Sequence, residues 1–228
     1  EGRDIRQAPM EERRRILENV HASAAHPSLL LSPTLSFSSW EEIVAHREHA
    51  RATSIEGLML KRRSSTYEVG RKRGDWWKWK VDPLSIDAVL TFSMQGHGRR
   101  ADLYTDHTFG LWQDGQLVTF AKAYSGLTDA EMKEVDAFVK KNTIERFGPV
   151  RQVEPKLVFE IAFEGISSST RHKSGVAVRF PWIVRWRRDK RPEDADTLEA
   201  LKRLASATHL PIEAGNNELD TPLETKST

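Results

Sequence analysis

Cysteine is absent from this 228-residue sequence, which excludes a disulfide framework and any thiolate zinc site and mildly favours a reducing compartment. Long apolar runs are missing too. Nothing approaches the ~20 residues that span a bilayer, and the patch Leu29, Leu30, Leu31 is too short for the core of a signal peptide. There is no G-x-S-x-G and no G-x-x-x-x-G-K-[ST], so nucleophile-elbow hydrolases and P-loop enzymes are set aside. A cytoplasmic protein of one large or two small domains is expected, with 38% hydrophobic residues to build a core. The first residue is Glu1 rather than Met, as expected of a processed product or an excised piece.

Net charge is nearly missing as well, at +2, but its distribution is uneven. Residues 61–80 carry +6 and residues 171–191 carry +7, which leaves about −11 for the rest of the chain. Two basic surfaces on an acidic body fit a clamp for a polyanion. The first of them lies in the string EGLMLKRRSSTYEVGRKRGDWWKWK, residues 56–80, where a carboxylate precedes an apolar run and a cationic loop leads into tryptophans alternating with lysines.

Along the chain, Pro9 is placed to open a helix carrying Met10, Ile16, Leu17 and Val20 near one face, and Leu29, Leu30 and Leu31 suggest a short buried strand. Ser39 and Glu42 have capping-box spacing, so a second helix starts at Ser39 and ends before Ser54. Apolar strands at 57–60 and 76–81 flank a basic loop containing Gly70 and Gly74 and suit an antiparallel pair. Beyond Pro83 the pattern becomes mostly strands. Ile86, Ala88, Leu90 and Phe92 alternate with Asp87, Val89, Thr91 and Ser93, and Asp114-Gly115 is a hairpin signal between 109–112 and 116–120. Thr128 and Glu131 form another capping box with Leu127 and Met132 as a staple, so a helix runs to about Lys141. Strand patterns resume at Leu157, Phe159, Ile161 and Phe163 and again at 175–180, and a helix with Leu198, Leu201 and Leu204 follows Pro192. Short strands interrupted by one helix suit a small Greek-key barrel of the OB type. The expected divisions are 1–83, 84–210 and a polar, disordered tail at 211–228.

The side chains narrow the chemistry. Glu42, His46 and His49 recur at helical spacing, but Glu42 belongs to the cap and no fourth ligand is in view, so a solvated face outweighs a metal site. Glu56 is a carboxylate that can hold Mg²⁺, and Lys78 and Lys80, alternating on a strand, aim two ammonium groups from one face at one phosphate. The residues by themselves leave a phosphate-binding site and a nonspecific nucleic-acid-binding surface both open.

A resemblance extends this reading. Glu56-Gly57-Leu58-Met59-Leu60-Lys61, then Ser65-Thr66-Tyr67, then Trp76-Trp77-Lys78-Trp79-Lys80 resemble nucleotidyltransferase motifs IV and V of the ATP-dependent DNA ligases, in order and at the family's spacing. Arg179-Phe180-Pro181 followed by Arg185, Arg187, Asp189 and Lys190 resembles motif VI at the end of that family's OB domain, and VEPKLVFEIAFEGI resembles the strand before it. The fold implied is α+β: an incomplete nucleotidyltransferase (adenylation) domain followed by an OB-fold β-barrel domain. The activity implied is sealing of nicks in duplex DNA with ATP and Mg²⁺, in repair, replication or recombination, by a protein expected to be monomeric and to make no use of a membrane.

By the same resemblance, Glu56 would bind the divalent metal, Lys78 and Lys80 would neutralise the α-phosphate, and Lys61 would sit near the nucleotide phosphates. Arg179, Arg187, Asp189 and Lys190 would act when the OB domain closes over ATP. The family's nucleophile lies in an upstream K-x-D-G motif that this sequence lacks. Lys80-Val81-Asp82-Pro83 has Pro for Gly and overlaps motif V, and EGRDIR resembles the sequence just after motif III. The expected partner is therefore the missing N-terminal part of the catalytic domain, and the chain alone is expected not to form an enzyme-AMP adduct. A non-catalytic OB-type nucleic-acid-binding module is the alternative, and it predicts that changing Glu56 leaves every function intact.

Overall fold

A computed structural model describes residues 2–50 and 55–208, so the tail expected at 211–228 lies outside the described residues. The chain divides into two units, Glu1–Val81 and Asp82–Thr228.

In the first unit, α1 (Met10–Ala24) follows Pro9, whose fixed φ of −52° suits a helix entry. Helix α2 (Trp40–His49) is capped by Ser39, whose side chain accepts from the Glu42 N–H, while Ser38 donates its N–H and O–H to the Glu42 carboxylate. Neither helix contains a buried residue. Strands β1 (Gly57–Lys61) and β2 (Trp76–Lys80) form an antiparallel pair. The strand expected at Leu29, Leu30 and Leu31 is not formed, and Leu30 is 91% exposed. Three apolar residues make a strand only when a neighbour completes the ladder, and among the described residues no strand pairs with this segment.

The second unit contains β3 (Leu84–Gln95), β4 (Tyr104–Gln113), β5 (Gln116–Ala123), α3 (Asp129–Lys141), β6 (Thr143–Phe147), β7 (Val150–Val153), β8 (Val158–Phe163), β9 (Gly165–Ser168), β10 (Val176–Arg179), β11 (Trp182–Trp186) and α4 (Leu198–Thr208). The main sheet runs β11-β8-β3-β4-β5, all antiparallel. Strand β3 is long enough to serve two partners on one edge, β8 along Leu84 to Val89 and β7 from Phe92 to Met94. The sheet curls until Ile183 of β11 donates its N–H to the Ser125 carbonyl at 2.9 Å, just past the end of β5. Gly126 makes that seam possible: at its φ of +114° a Cβ would fall 1.7 Å from the Ile183 carbonyl oxygen.

The curled sheet encloses Leu90, Phe109, Leu111, Phe159, Ile161 and Phe163, joined by Val135 and Val139 of α3 and Leu198 and Leu201 of α4. Helix α3 carries the expected capping box, with Thr128 and Glu131 exchanging hydrogen bonds. Its buried Asp136 accepts from the Tyr104 N–H at 3.1 Å and from Lys140 at 2.7 Å, which ties the helix to β4. The β6–β7 hairpin has no counterpart in the sequence reading, because its side chains are mostly polar and Gly148-Pro149 reads as loop. The outer face of β3 is also covered. Val89 and Val158 pack with Ala195 and Trp112, and the Trp112 indole N–H donates to the Pro192 carbonyl at 2.7 Å.

Candidate functional site

The antiparallel register of β1 and β2 decides which side chains share a face. Gly57 lies opposite Lys80, Met59 opposite Lys78 and Lys61 opposite Trp76, while Leu58 faces Trp79 and Leu60 faces Trp77 across the ladder. Directly opposed residues point to the same side of a sheet, so Lys61, Lys78 and Lys80 rise from one face together with Met59 and Trp76. That face is open: all three lysines are exposed, as are Met59 and Trp76. The Lys61 ammonium stands 4.5 Å over the Trp76 ring, a cation–π contact that holds the long side chain upright. The other face is occupied by α2, whose Trp40 meets Trp79 edge-on at 6.3 Å. Arg47 stacks over Trp79 at 5.2 Å and donates Nε and Nη2 to the Lys80 carbonyl at 2.9 and 2.6 Å.

Glu56 precedes the strand, and its carboxylate comes 3.5 Å from Lys80 Nζ. The turn into the strand depends on Gly57, which has φ +133°, and a Cβ there would lie 2.3 Å from the Trp79 carbonyl oxygen. Glycine is thus needed both for the angle and for the close approach of the two backbones. The loop end of the hairpin is pinned by the Trp76 indole N–H donating to Ser65 Oγ at 3.1 Å and by Arg62 pairing with Asp75 at 2.9 Å.

Four of the sequence-predicted residues, Glu56, Lys61, Lys78 and Lys80, therefore belong to one hairpin. Chemically, three ammonium groups on an exposed face suit the oxygens of a phosphate, and one carboxylate at its margin suits a hard cation shared with such an anion. Among the described residues no group of three or more His, Cys, Asp or Glu could hold a metal ion. The donor set fits Mg²⁺ as a ligand shared with a phosphate and water, and does not fit an all-protein cage. Glu42 is committed to its cap, where hydrogen bonds from the Ser38 backbone and then its hydroxyl hold the carboxyl below its ordinary range.

The second basic stretch breaks into two places. At the end of β11, Arg187 donates Nε and Nη2 to the two oxygens of Asp189 at 3.0 and 2.8 Å, and Nη1 to Asp87 Oδ2 at 2.6 Å. Lys190 Nζ reaches the same Asp87 oxygen at 2.6 Å. The fork with Asp189, then the charge of Asp87, raises the Arg187 pKa, and the same fork holds Asp189 down at about 2. Arg179 is elsewhere. It closes β10 opposite Gly165, with its guanidinium 4.9 Å over Phe180, and the five residues of β11, roughly 17 Å of strand, stand between it and Arg187.

Asp87 is the residue that sequence reasoning missed. The alternation puts it on the strand face opposite Ile86 and Ala88, and the segment after Lys190 folds back over that face, where the Asp196 N–H donates to the Asp87 carbonyl at 2.9 Å. The signal available was a lone carboxylate inside the otherwise apolar run Ile86-Asp87-Ala88-Val89-Leu90.

Comparison with known proteins gives a consistent picture. A family model described as ATP dependent DNA ligase domain matches residues 1–80, and one described as ATP dependent DNA ligase C terminal region matches residues 100–190. A probable DNA ligase of Koribacter versatilis is 42% identical over 176 residues, covering 77% of this chain and 31% of that protein. A probable DNA ligase of Opitutus terrae is 37% identical over 236 residues, covering 91% of this chain and 23% of that protein. The chain thus spans less than a third of either curated relative. A solved structure described as "DNA binding with a minimal scaffold: Structure-function analysis of Lig E DNA ligases" superposes with a TM-score of 0.59 at 18% identity, over 79% of this chain and 59% of that one, a likeness of fold.

Proposed function

The chain belongs to the ATP-dependent DNA ligase family, and on that premise we propose that it supplies the metal- and phosphate-binding wall and the OB-fold domain of an enzyme that seals nicked duplex DNA. The observation that carries the proposal is the open face of the β1–β2 hairpin, where Lys61, Lys78 and Lys80 rise together and Glu56 comes 3.5 Å from Lys80.

Each step of nick sealing displaces a group at phosphorus. AMP passes from ATP to a lysine and then to a 5′-phosphate, and a 3′-hydroxyl displaces it, so positioning and charge neutralisation supply most of the catalysis. Lys78 and Lys80 would bind the α-phosphate oxygens as negative charge builds on them, with Lys61 beside the remaining phosphates. Glu56 would hold Mg²⁺ against the nucleotide, and the ion when bound supplies Lewis-acid neutralisation of phosphate charge. Arg187, Asp189 and Lys190 would meet the polyphosphate as a preassembled group, and Arg179, a strand's length away, would contact a different part of the nucleotide or the DNA.

The first unit supports a further part of the reading. Its described apolar side chains form no core cluster of their own, which suits a domain completed by a separate segment that brings the nucleophilic lysine. Two measurements test the proposal. With labelled ATP and Mg²⁺ this chain is expected to form no lysine-linked AMP, and an adduct on it would overturn the division of labour. It is also expected to bind nicked duplex with an affinity that falls linearly in log salt, and binding that ignores salt, or none at low salt, counts against the basic surfaces.

A further inference from the structure

Asp87 is 9% exposed, and a carboxylate is unfavourable to bury unless its oxygens are paired. Its Oδ2 is paired twice, with Arg187 Nη1 and with Lys190 Nζ, each at 2.6 Å. Its Oδ1 is buried with no hydrogen-bond partner at all. Stability does not call for this arrangement, because an apolar side chain of similar volume serves a barrel strand as well, and an unsatisfied buried oxygen asks for another reason. The backbone at this position is also tied down: the Asp87 N–H donates to Asp196 Oδ2 at 2.8 Å.

Two cations converging on one oxygen is the arrangement they would adopt on a phosphate oxygen. The opposite edge of Arg187 is taken by Asp189, so Arg187 and Lys190 are matched by the carboxylates of Asp87 and Asp189, with that of Asp196 a third beside the Asp87 backbone, although residues 171–191 by themselves sum to +7. Arg187 and Lys190, within the second basic stretch, therefore present no net positive charge at this corner as the chain folds.

We infer that Asp87 is a specificity-determining residue: an internal carboxylate that stands in the place of a phosphate oxygen on Arg187 and Lys190 and yields that place to a polyphosphate, but not to the single charges of a nucleic-acid backbone. This rests on the reading of Arg187 and Lys190 as polyphosphate ligands. A polyphosphate brings several charges and can engage the outward ammonium protons of Lys190, which is 27% exposed, before the Asp87 contact is released. A backbone phosphate brings one charge and must displace a carboxylate that is already desolvated and bonded. The consequence is a division within one domain, with exposed Arg171 and Lys173 open to DNA and the Asp87 corner reserved for the nucleotide.

The test uses the full chain and Asp87→Asn, with binding of nicked duplex and of inorganic tripolyphosphate measured across salt. Asp87→Asn is expected to bind duplex about tenfold more tightly, with a log–log salt slope steeper by about two, one for each cation released from the carboxylate. Adding Lys190→Met in that background is expected to give back about one of the two, and tripolyphosphate affinity is expected to rise by less than duplex affinity. Unchanged or weaker duplex binding by Asp87→Asn overturns the inference alone. If Lys190→Met leaves tripolyphosphate affinity unchanged, the parent reading of Lys190 falls and the inference with it. Should Asp87→Asn fail to fold, the Asp87 13Cγ resonance of the native chain decides. It is expected to move on saturation with tripolyphosphate and to stay in place with duplex, and movement with both or with neither overturns the inference.

Discussion

The two units of this chain are held together by different physics. In the second, a closed apolar core of β-strand and helix side chains does the work, with Phe109, Leu111, Ile161 and Phe163 all fully buried. In the first, only Ala50 and Ser65 are buried among the described residues. Arginine takes the place of a core there. Arg47 clamps the end of β2, Arg13 donates to the Ser65 carbonyl at 3.0 Å and stands 5.6 Å over Tyr67, and the Tyr67 N–H donates to the Arg6 carbonyl at 2.7 Å. Among the described residues, thirteen of the eighteen large hydrophobic side chains that stand exposed belong to this smaller unit, including Leu17, Val20, Leu30 and Trp40. Under the proposed function, that apolar surface is where a further segment of the catalytic domain would pack, whereas the described apolar side chains of the barrel already pack on one another.

The sharpest way to break that comparison is to separate the units. Residues 82–208 expressed alone are expected to melt cooperatively, and residues 2–81 alone to show no cooperative transition, followed by circular dichroism and amide exchange. Equal cooperativity in both would show that cation–π contacts and backbone hydrogen bonds suffice where a core is lacking. Within the whole chain, truncation should expose the same asymmetry at smaller scale. Phe109→Ala removes a fully buried ring and should destabilise the barrel by about 3–5 kcal/mol. Trp40→Ala removes a ring that is 65% exposed and should alter stability by about 1 kcal/mol or less. Denaturant melts of the two variants make the measurement, and a loss on Trp40→Ala as large as that on Phe109→Ala would show that the first unit has a core after all.

How much of this was legible in the sequence follows the same divide. Local signals were read well: the N-cap at Ser39, the capping box at Thr128, the Asp114-Gly115 hairpin and the lysine alternation on β2 each depend on residues within one turn or one strand, although Glu42 closes on Ser38 rather than completing a box with Ser39. The sharing of a face by Lys61 needed the register, which Gly57 fixes by its close approach to Trp79 and which no spacing along the chain reveals. Leu29, Leu30 and Leu31 misled because an apolar run signals burial only where a partner exists to bury it. The burial of Asp87 was not legible because the chain that covers its face of β3 comes more than a hundred residues later, with Asp196. Arg187, Asp189 and Lys190 were recognisable as a group, but that their charges cancel against Asp87 is a tertiary fact.

A last expected effect is set by pH, and it also separates the two units. His107 is 1% exposed inside the barrel, with Nδ1 sharing a hydrogen bond of 2.9 Å with Ser93 Oγ, and burial pushes its pKa down to about 4. None of the histidines described in the first unit is buried. Between pH 4 and the ordinary histidine value of ~6.5 the unfolded chain binds a proton at this position that the folded barrel refuses. Stability from His107 is therefore complete above about pH 6.5 and is lost as pH falls towards 4, by an amount on the order of 3 kcal/mol at most. Denaturant melts across that window, repeated on His107→Gln, should show a slope in the native chain that the variant lacks. An NMR titration should find His107 still neutral at pH 5, and protonation near 6.5 would mean that the barrel opens to water at this ring.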